Sequence, residues 1–294
     1  MGKSFNSVRF PGHVMNTSSS AMIDPIDGLP VMPVGSWSRE KSETLARYVD
    51  ASRAARRKFG YSSYIDLFSG PGRVIERHSG RLYDGSAISA WRTSLQHKAA
   101  FSDLYIGDVR SESVEACTSR LRSLGARVRP FTGPASTTVD KVLAVLPSGL
   151  HLAFIDPFNI AHLDFSILEK LAQQKTIDIL VHFSVMDVQR NIGREFNAEV
   201  SRLDTVAPGW RDAVILDGIP VRHRVSAFLD YWEQRVMELT QMRIADTRPM
   251  FVNCRRGPLY RLIHLSRHDL AERLWNDVGR QQRGQGRLFS DAGQ

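Results

Sequence analysis

A short stretch that begins apolar and ends in glycine and proline decides the fold of this chain: Tyr64-Ile65-Asp66-Leu67-Phe68-Ser69-Gly70-Pro71-Gly72. Its first half has the composition of a strand, and its second half is a tight turn in which the glycines allow positive φ angles and Pro71 restricts the backbone. Ligands of parallel α/β sheets bind beyond the carboxyl ends of the strands, which is where this turn would lie. Taken alone, the pattern fits a buried strand with a tight turn and no ligand equally well.

The stretch resembles the first motif of class I S-adenosylmethionine-dependent methyltransferases. In that family the acid of the strand and the glycine loop hold the methionine end of the cofactor, and the resemblance implies the same role here. The implied cofactor contacts, including the start of the following helix, are Asp66, Phe68, Ser69, Gly70, Pro71, Gly72 and Ser86.

The composition is that of an ordinary globular protein, with 42% hydrophobic and 24% charged residues among 294. No apolar run is long enough to span a bilayer, and residues 1–32 lack the pattern of a secretion signal, so we expect a cytoplasmic protein. The net charge of +8 favours polyanionic partners such as RNA or DNA.

The cysteine and histidine spacings give no sign of a metal site. Cys117 and Cys254 are far apart and lack the Cys-x-x-Cys spacing, which predicts buried free thiols. His264 and His268 are four residues apart, but they fall at a strand end and a helix start with no glutamate after the first, so we attribute the spacing to chance.

A second acid follows the next apolar run. The polar residues 73–84 predict an inserted turn or a small hairpin, which delays the following helix to Ser86, and the strand after it covers residues 103–108. Asp108 at its carboxyl end is suited to accept hydrogen bonds from a ribose diol, and we prefer this role to the alternative of capping the helix that starts near Ser111.

A third acid follows the strand over residues 151–155, in the sequence Asp156-Pro157-Phe158-Asn159. These residues resemble the fourth motif of methyltransferases that act on exocyclic amines of nucleic-acid bases, although Phe158 stands where a second proline is usual. Such an amine needs an acceptor for its N–H and an aromatic face against its ring. The resemblance therefore implies a catalytic role for all four residues, and the alternative for Asp156 is helix capping.

The remaining segments predict a Rossmann-like α/β fold: a mainly parallel seven-stranded sheet that ends in an antiparallel hairpin near residues 249–265. Residues 1–35 show no sustained periodicity and predict a flexible arm before the domain over 36–278. Residues 187–248 predict a helical insertion in which Arg190 and Arg194 could bind nucleic acid, although an apolar helix stripe there is more often core. Residues 279–294 predict a disordered basic tail.

Over residues 37–278 the chain is similar to the three-Cys-motif partner protein family. The residues that carry this likeness are Trp37-Ser38-x-x-Lys41 with Tyr48, the stretch over 64–72, Asp84-Gly85-Ser86, Phe154-Ile155-Asp156-Pro157-Phe158 and Pro258-Leu259-Tyr260. Members are bacterial, look like Rossmann-type methyltransferases, and are named for a neighbouring radical-SAM-like protein with clustered cysteines.

Two functions from different classes agree with these patterns. The first is an enzyme that transfers a methyl group from S-adenosylmethionine to an exocyclic amine of a nucleic-acid base. The second is a non-catalytic partner that keeps the fold, binds nucleic acid and assists a radical-SAM-like three-Cys-motif protein. The acids at 66, 108 and 156 favour the enzyme, because a scaffold needs no acid at each strand end, whereas the absence of a predicted adenine contact favours the partner protein.

Overall fold

The structure is a computed structural model that describes residues 22–96, 98–214, 218–253 and 257–288, without the side chains of residues 221 and 281–288. The strands are β1 (Met32–Val34), β2 (Ser62–Asp66), β3 (Arg73–Glu76), β4 (Leu82–Asp84), β5 (Asp103–Asp108), β6 (Val128–Thr132), β7 (Leu150–Ile155), β8 (Ile177–Phe183), β9 (Arg243–Ile244), β10 (Met250–Val252) and β11 (Pro258–Ser266). The helices are α1 (Trp37–Ala51), α2 (Arg53–Lys58), α3 (Ser86–Gln96), α4 (Ser111–Ser123), α5 (Ala135–Leu143), α6 (Phe165–Leu171), α7 (Val185–Phe196), α8 (Trp210–Ala213), α9 (Val221–Thr240) and α10 (Asp269–Leu288), with a 3-10 turn at Ile160–His162.

Strand β2, which carries the first acid, lies in the middle of the main sheet. The strand order is β10-β11-β8-β7-β2-β5-β6, and the short β9 pairs with β11. Strands β8, β7, β2, β5 and β6 are parallel, whereas β11 is antiparallel to both β8 and β10. The predicted mainly parallel sheet with its antiparallel C-terminal hairpin is therefore confirmed. The observed arrangement is the Rossmann-like α/β fold that the sequence predicts.

The sheet is covered on both faces, which explains why its central strands are almost continuously apolar. All five residues of β2 are buried. Consecutive side chains of a strand point to opposite faces, so Tyr64 and Ile65 belong to different apolar clusters, as do Phe154 and Ile155 of β7. The two faces together bury most of the large apolar side chains, and they leave the carboxyl ends of the strands as the place for polar groups.

The predicted small hairpin between the glycine loop and α3 is confirmed, because β3 and β4 pair as antiparallel strands. Strand β1 pairs with β3 in parallel, which forms a separate three-stranded sheet. The hairpin separates α3 from β2 in the sequence. In space the start of α3 still lies next to the glycine loop, because Gly85 N donates a hydrogen bond to Gly72 O at 2.7 Å.

The prediction of a flexible N-terminal arm is wrong for residues 22–35, whereas residues 1–21 lie outside the described residues. This segment is fixed by buried charges: Asp24 is fully buried and pairs with Arg73 at 2.7 Å. Arg120 of α4 is also buried and donates to Asp27 at 2.7 Å and to Pro30 O at 2.8 Å. A segment without periodicity is thus ordered by ion pairs to distant residues.

The helical insertion consists of α7, α8 and α9, and its apolar stripe is part of the core. Phe228, Trp232 and Val236 of α9 are fully buried, and the rings of Phe183 and Trp232 lie 5.1 Å apart. Helix α7 ends at Phe196. Helix α10 continues to Leu288, so its last turns fall within the segment for which the sequence predicts a basic tail.

The cysteine predictions are tested at one position. Cys117 is a buried free thiol, as predicted, and Cys254 lies outside the described residues. The buried side chain of His264 contacts Tyr48 Oη at 2.8 Å. In the part of the chain that the structure describes, none of the helices is both long enough and apolar enough to cross a bilayer.

Candidate functional site

The three predicted acids meet at one edge of the sheet. Asp66 and Asp108 are the last residues of β2 and β5, and Asp156 directly follows β7. Because β2 pairs in parallel with both β5 and β7, the carboxyl ends of these strands are neighbours. The crevice beyond these ends is the usual ligand site of such a sheet.

The glycine loop after β2 requires its glycines. Gly70 and Gly72 have φ angles of 54° and 83°, which side chains rarely adopt. A Cβ atom at Gly72 would also lie 3.1 Å from the Sγ atom of Cys117 and 3.1 Å from the Cδ1 atom of Ile88. The loop therefore packs closely on α3 and α4, and a residue larger than glycine would push it out of place.

Asp66 fixes the glycine loop through buried hydrogen bonds. Its carboxylate is fully buried and accepts hydrogen bonds from Phe68 N at 3.1 Å, Tyr64 Oη at 3.1 Å and Ser86 Oγ at 2.5 Å. Burial raises the pKa of Asp66 to about 7, against the opposing effect of the Ser86 hydroxyl. The sequence predicts a direct ligand contact for Asp66. In the structure both of its carboxylate oxygens accept hydrogen bonds from the protein itself, so Asp66 connects the glycine loop to the start of α3.

Asp108 joins β5 to the glycine loop. One carboxylate oxygen accepts from Gly70 N at 3.2 Å, and the other accepts from Arg110 N at 2.9 Å, just before α4. This bond is a turn before the helix: the N-cap residue of α4 is Arg110, and no side chain makes a capping hydrogen bond there, so the capping alternative is wrong. The Asp108 side chain is 15% exposed, so the carboxylate borders the crevice.

The other predicted loop residues contribute mainly backbone and packing. Ser69 Oγ donates to Gly107 O at 3.2 Å, and Pro71 O accepts from Arg120 at 2.7 Å. Phe68 is half-buried and packs against the core. Ser86 is the first residue of α3 and binds Asp66, as described above. The hydroxyl of Ser69 and the carbonyl of Pro71 are therefore already used within the chain.

Asp156 forms an ion pair that the sequence does not predict. Lys41 Nζ lies 2.7 Å from its Oδ1 atom and 2.6 Å from its Oδ2 atom, and His182 Nδ1 lies 3.2 Å from Oδ1. Both members are largely enclosed, with 14% of the Lys41 side chain and 17% of the Asp156 side chain exposed. Lys41 is on α1 and His182 on β8, so three separate elements meet at this carboxylate.

Aromatic rings line one side of the ion pair. The ring of Tyr260 lies 4.4 Å from that of His182, edge to face, and 5.8 Å from Lys41 Nζ. Tyr260 Oη donates to Trp37 O at 3.1 Å, which fixes the ring against α1. Burial lowers the pKa of His182 to about 3, with a further contribution from Lys41. The imidazole is therefore neutral at pH 7, and Lys41 is the cation that faces Asp156.

Among the other residues of the segment 156–159, one side chain is exposed and two have structural roles. Phe158 is 84% exposed, so its ring is available to a ligand. Pro157 is buried. Asn159 is the N-cap of the 3-10 turn, where its side chain accepts from Ala161 N at 3.0 Å. This local bond gives Asn159 a structural role, and its catalytic role stays a prediction.

The two arginines with a predicted nucleic-acid role lie on α7. This helix begins two residues after β8, at the edge of the sheet that carries the acids. Arg190 is exposed. Arg194 is 70% exposed and donates to Asn191 Oδ1 at 2.9 Å. Both side chains are accessible to solvent.

Among solved structures, this chain is similar in fold to several methyltransferases. It has 14% identity to the O-methyltransferase from Bacillus cereus in complex with SAH, covering 76% of this chain and 80% of that chain with a TM-score of 0.44. It has 14% identity to a putative O-methyltransferase from Klebsiella pneumoniae, covering 81% and 84% with a TM-score of 0.45. It has 12% identity to the O-methyltransferase TomG from Streptomyces achromogenes in complex with SAM, covering 79% and 96% with a TM-score of 0.43. No protein-family model matches the sequence, and no curated protein matches it either.

Proposed function

We propose that this protein is an S-adenosylmethionine-dependent methyltransferase that acts on nucleic acid. The observation that carries the proposal is the arrangement of the strand ends, where a glycine loop tied to Asp108 lies beside the enclosed ion pair of Lys41 and Asp156. The loop and Asp108 are suited to hold a cofactor, and the ion pair is suited to change the charge of an acceptor atom.

The residues at the ends of β5 and β6 suit an adenosyl group. Asp108 offers an acceptor for ribose hydroxyls, and Val109 next to it is 67% exposed, which leaves an apolar surface for a base. The Oγ1 atom of Thr138 is buried without a hydrogen-bond partner and lies 3.5 Å from the position of a Cβ atom on Gly133. Buried polar atoms are usually paired, so this hydroxyl supports a polar ligand at the same place. When bound, S-adenosylmethionine supplies an electrophilic methyl group on sulfonium.

Cofactor binding should depend on Asp108. We expect Asp108→Ala to weaken S-adenosylmethionine binding by about 1 to 3 kcal/mol, because the ribose hydroxyls lose their acceptor. Titration calorimetry measures the effect. Glu115→Ala removes the same charge from an exposed position on α4 and should bind like the wild type. Equal affinities of Asp108→Ala and the wild type would place the ribose elsewhere.

The proposed nucleic-acid partner rests on charge. The net charge is +8, and Arg190 and Arg194 are exposed on α7, the helix that follows β8. We expect affinity for single-stranded RNA to fall with salt, with a slope of about −0.7 per phosphate contacted. The double variant Arg190→Ser with Arg194→Ser should reduce that slope by about 1 to 2, since each arginine neutralises one phosphate.

A matched control for this experiment is available on another part of the surface. Arg122 and Arg127 are exposed near the start of β6, at the opposite edge of the sheet, and their replacement by serine removes the same charge. Fluorescence anisotropy at several salt concentrations compares the variants. An equal change of slope in both double variants would mean that net charge, and not the α7 surface, determines binding.

For the acceptor atom, the motif at residues 156–159 supports an exocyclic amine of a base. The ammonium group of Lys41 instead favours a hydroxyl oxygen, because it stabilises negative charge on the acceptor while Asp156 can accept the proton. The direct test is transfer of a labelled methyl group from S-adenosylmethionine to bacterial RNA and DNA. Label in neither polymer, with cofactor binding established, would contradict the methyltransferase proposal.

A second candidate function is a non-catalytic partner of a radical-SAM-like three-Cys-motif protein. The observation that favours it is that Lys41 already binds both carboxylate oxygens of Asp156, as in a purely structural ion pair. In that case the chain would bind nucleic acid without methylating it, and addition of the partner protein would produce the chemistry. The labelled-methyl experiment with and without that partner separates the two functions.

A further inference from the structure

Lys41 extends from α1 to the acid that follows β7. Its Nζ atom lies within 2.7 Å of both carboxylate oxygens of Asp156. Exposed ion pairs contribute little to stability, and enclosing one costs desolvation energy, so stability alone is a weak reason for this arrangement. A fixed ammonium group at a strand end does, however, strongly affect any charge that develops next to it.

The sign of that charge depends on the nucleophile. A neutral amine that attacks a methyl group becomes positively charged on nitrogen, and a nearby ammonium group opposes this change. A hydroxyl oxygen attacks effectively only as it loses its proton, and it then carries partial negative charge that an ammonium group stabilises. For an oxygen nucleophile both groups of the pair help, because the ammonium group of Lys41 stabilises the oxyanion and the carboxylate of Asp156 can accept the proton. An amine that becomes positively charged gains only from the carboxylate and is opposed by Lys41.

We propose that the acceptor is a hydroxyl oxygen and that Lys41 is a catalytic residue that donates a hydrogen bond to it, an inference that rests on the methyltransferase function proposed above. The hydroxyl that a nucleic acid carries along its chain is the ribose 2′-hydroxyl of RNA. RNA is therefore the substrate, and the product is a 2′-O-methylated nucleotide.

The transfer step balances with the groups present. The hydroxyl oxygen forms a bond to the methyl carbon while the bond from that carbon to sulfur breaks, and the electron pair of the broken bond stays on sulfur. The hydroxyl proton passes to the carboxylate of Asp156, and Lys41 keeps its three protons. The neutral thioether leaves with the cofactor, and no oxidant or reductant is needed.

The surroundings of the ion pair agree with this assignment. His182 lies 3.2 Å from Asp156 Oδ1 and is neutral at pH 7, so Lys41 carries the positive charge on this side of the carboxylate. The ring of Tyr260 lies 5.8 Å from Lys41 Nζ, and only 14% of the Lys41 side chain is exposed. The exposed ring of Phe158, two residues after Asp156, is available to stack on the base of the methylated nucleotide.

The chemistry of the product tests the proposal in the wild-type protein. RNA labelled by the protein with radioactive S-adenosylmethionine is hydrolysed completely in alkali. A 2′-O-methyl group blocks cleavage of the adjacent phosphodiester, so we expect the label in dinucleotides. Label in mononucleotides, or in DNA alone, would overturn the hydroxyl acceptor and leave the methyltransferase function intact. No label in RNA or DNA would contradict both.

Variants test the role of Lys41. We expect Lys41→Met to lower the transfer rate by about 100-fold or more, the usual effect of removing a donor to a developing oxyanion. Lys41→Arg keeps the positive charge and should retain more activity. Lys58→Met removes an exposed lysine on α2, at the opposite edge of the sheet, and should behave like the wild type.

Calorimetry with S-adenosylmethionine and thermal denaturation show whether each variant is folded. The proposal requires that Lys41→Met binds the cofactor like the wild type while transfer is lost. A folded Lys41→Met that still methylates RNA at more than about one tenth of the wild-type rate would remove Lys41 from the reaction.

Discussion

Replacement of Asp156 by alanine is expected to lower methyl transfer by about 100- to 10,000-fold, the range for loss of a group that accepts a proton in the transition state. The carboxylate follows β7 directly and is 17% exposed, so it is enclosed but still reachable from the crevice. Cofactor affinity should stay nearly the same, because the groups assigned to the cofactor are the glycine loop and Asp108. The measurement is the rate of labelled-methyl transfer to RNA, with calorimetry for the cofactor.

The alanine variant also leaves Lys41 without its ionic partner, so a second variant is needed. Asp156→Asn keeps an oxygen that can accept from Lys41 Nζ but is a much weaker proton acceptor, and it should be as inactive as the alanine variant. Asp140→Ala is the control, since that side chain is 57% exposed on α5. Activity that persists in Asp156→Asn would mean that hydrogen bonding to the ion pair is sufficient and that the proton leaves by another route.

If the chain is instead a non-catalytic partner, Asp156→Ala should change neither nucleic-acid binding nor the activity of the three-Cys-motif protein. The two functions thus predict different outcomes for the same substitution. Loss of the partner's activity in Asp156→Ala, with no methyl transfer by the wild type, would place Asp156 at a contact between the two proteins.

The residues of the site that can be predicted from the sequence lie in short continuous segments with a recognisable pattern. Asp66, Asp108 and Asp156 each end or directly follow an apolar run, and the rule that ligands bind at the carboxyl ends of parallel strands places them together. The hairpin over residues 73–84 is also a local pattern, since a polar segment with a glycine separates the loop from α3. The fold and the position of the crevice follow from these segments.

Contacts between distant segments are not encoded in this way. Lys41 and Asp156 are 115 positions apart, and a lysine on a helix that is otherwise half polar has no local feature that marks it as part of a site. His182 lies within an apolar strand, where a buried structural histidine is the simpler interpretation. The motif Trp37-Ser38-x-x-Lys41 could be recognised as a family feature, but its role becomes visible only when α1 is packed against the sheet.

Asn159 shows the opposite case, in which a local signal was available. Asparagine is among the preferred N-cap residues, and here it precedes a helical turn and accepts from Ala161 N. The predicted catalytic residues include Asn159 because it is close to Asp156 in the sequence. Its hydrogen bond to Ala161 N gives it a structural role as an N-cap. Asp164, which caps α6 in the same way, follows the same rule.

Replacement of Arg120 by methionine is expected to destabilise the protein by about 3 to 5 kcal/mol, the usual cost of removing one partner from a buried ionic network. Arg120 is 5% exposed and donates to Asp27 at 2.7 and 2.8 Å, to Pro30 O at 2.8 Å and to Pro71 O at 2.7 Å. Asp24, fully buried, lies 3.5 Å away and would keep Arg73 as its ionic partner. Urea denaturation of the wild type and the variant measures the difference.

The effect should depend on pH in a defined direction. The hydrogen bond from Arg120 lowers the pKa of Asp27 below its ordinary value of 3.8. The stabilisation from this lowered pKa is complete above 3.8 and is lost as the pH falls through the folded-state pKa. The difference between the wild type and Arg120→Met should therefore be largest near neutral pH and should shrink in acid.

Arg120 also connects the N-terminal segment to the cofactor loop, because the same guanidinium that binds Asp27 donates to Pro71 O. We therefore expect Arg120→Met to weaken S-adenosylmethionine binding and to make residues 22–34 more sensitive to proteolysis, even at temperatures where the domain stays folded. Arg120→Lys keeps the charge but not the forked geometry of the guanidinium group. Its stability should therefore lie between those of the wild type and Arg120→Met. Arg122→Met, an exposed position on the same helix, is the control. A loss of stability no larger than that of Arg122→Met would mean that the N-terminal segment is held by its apolar contacts and its pairing with β3, and not by the buried charges.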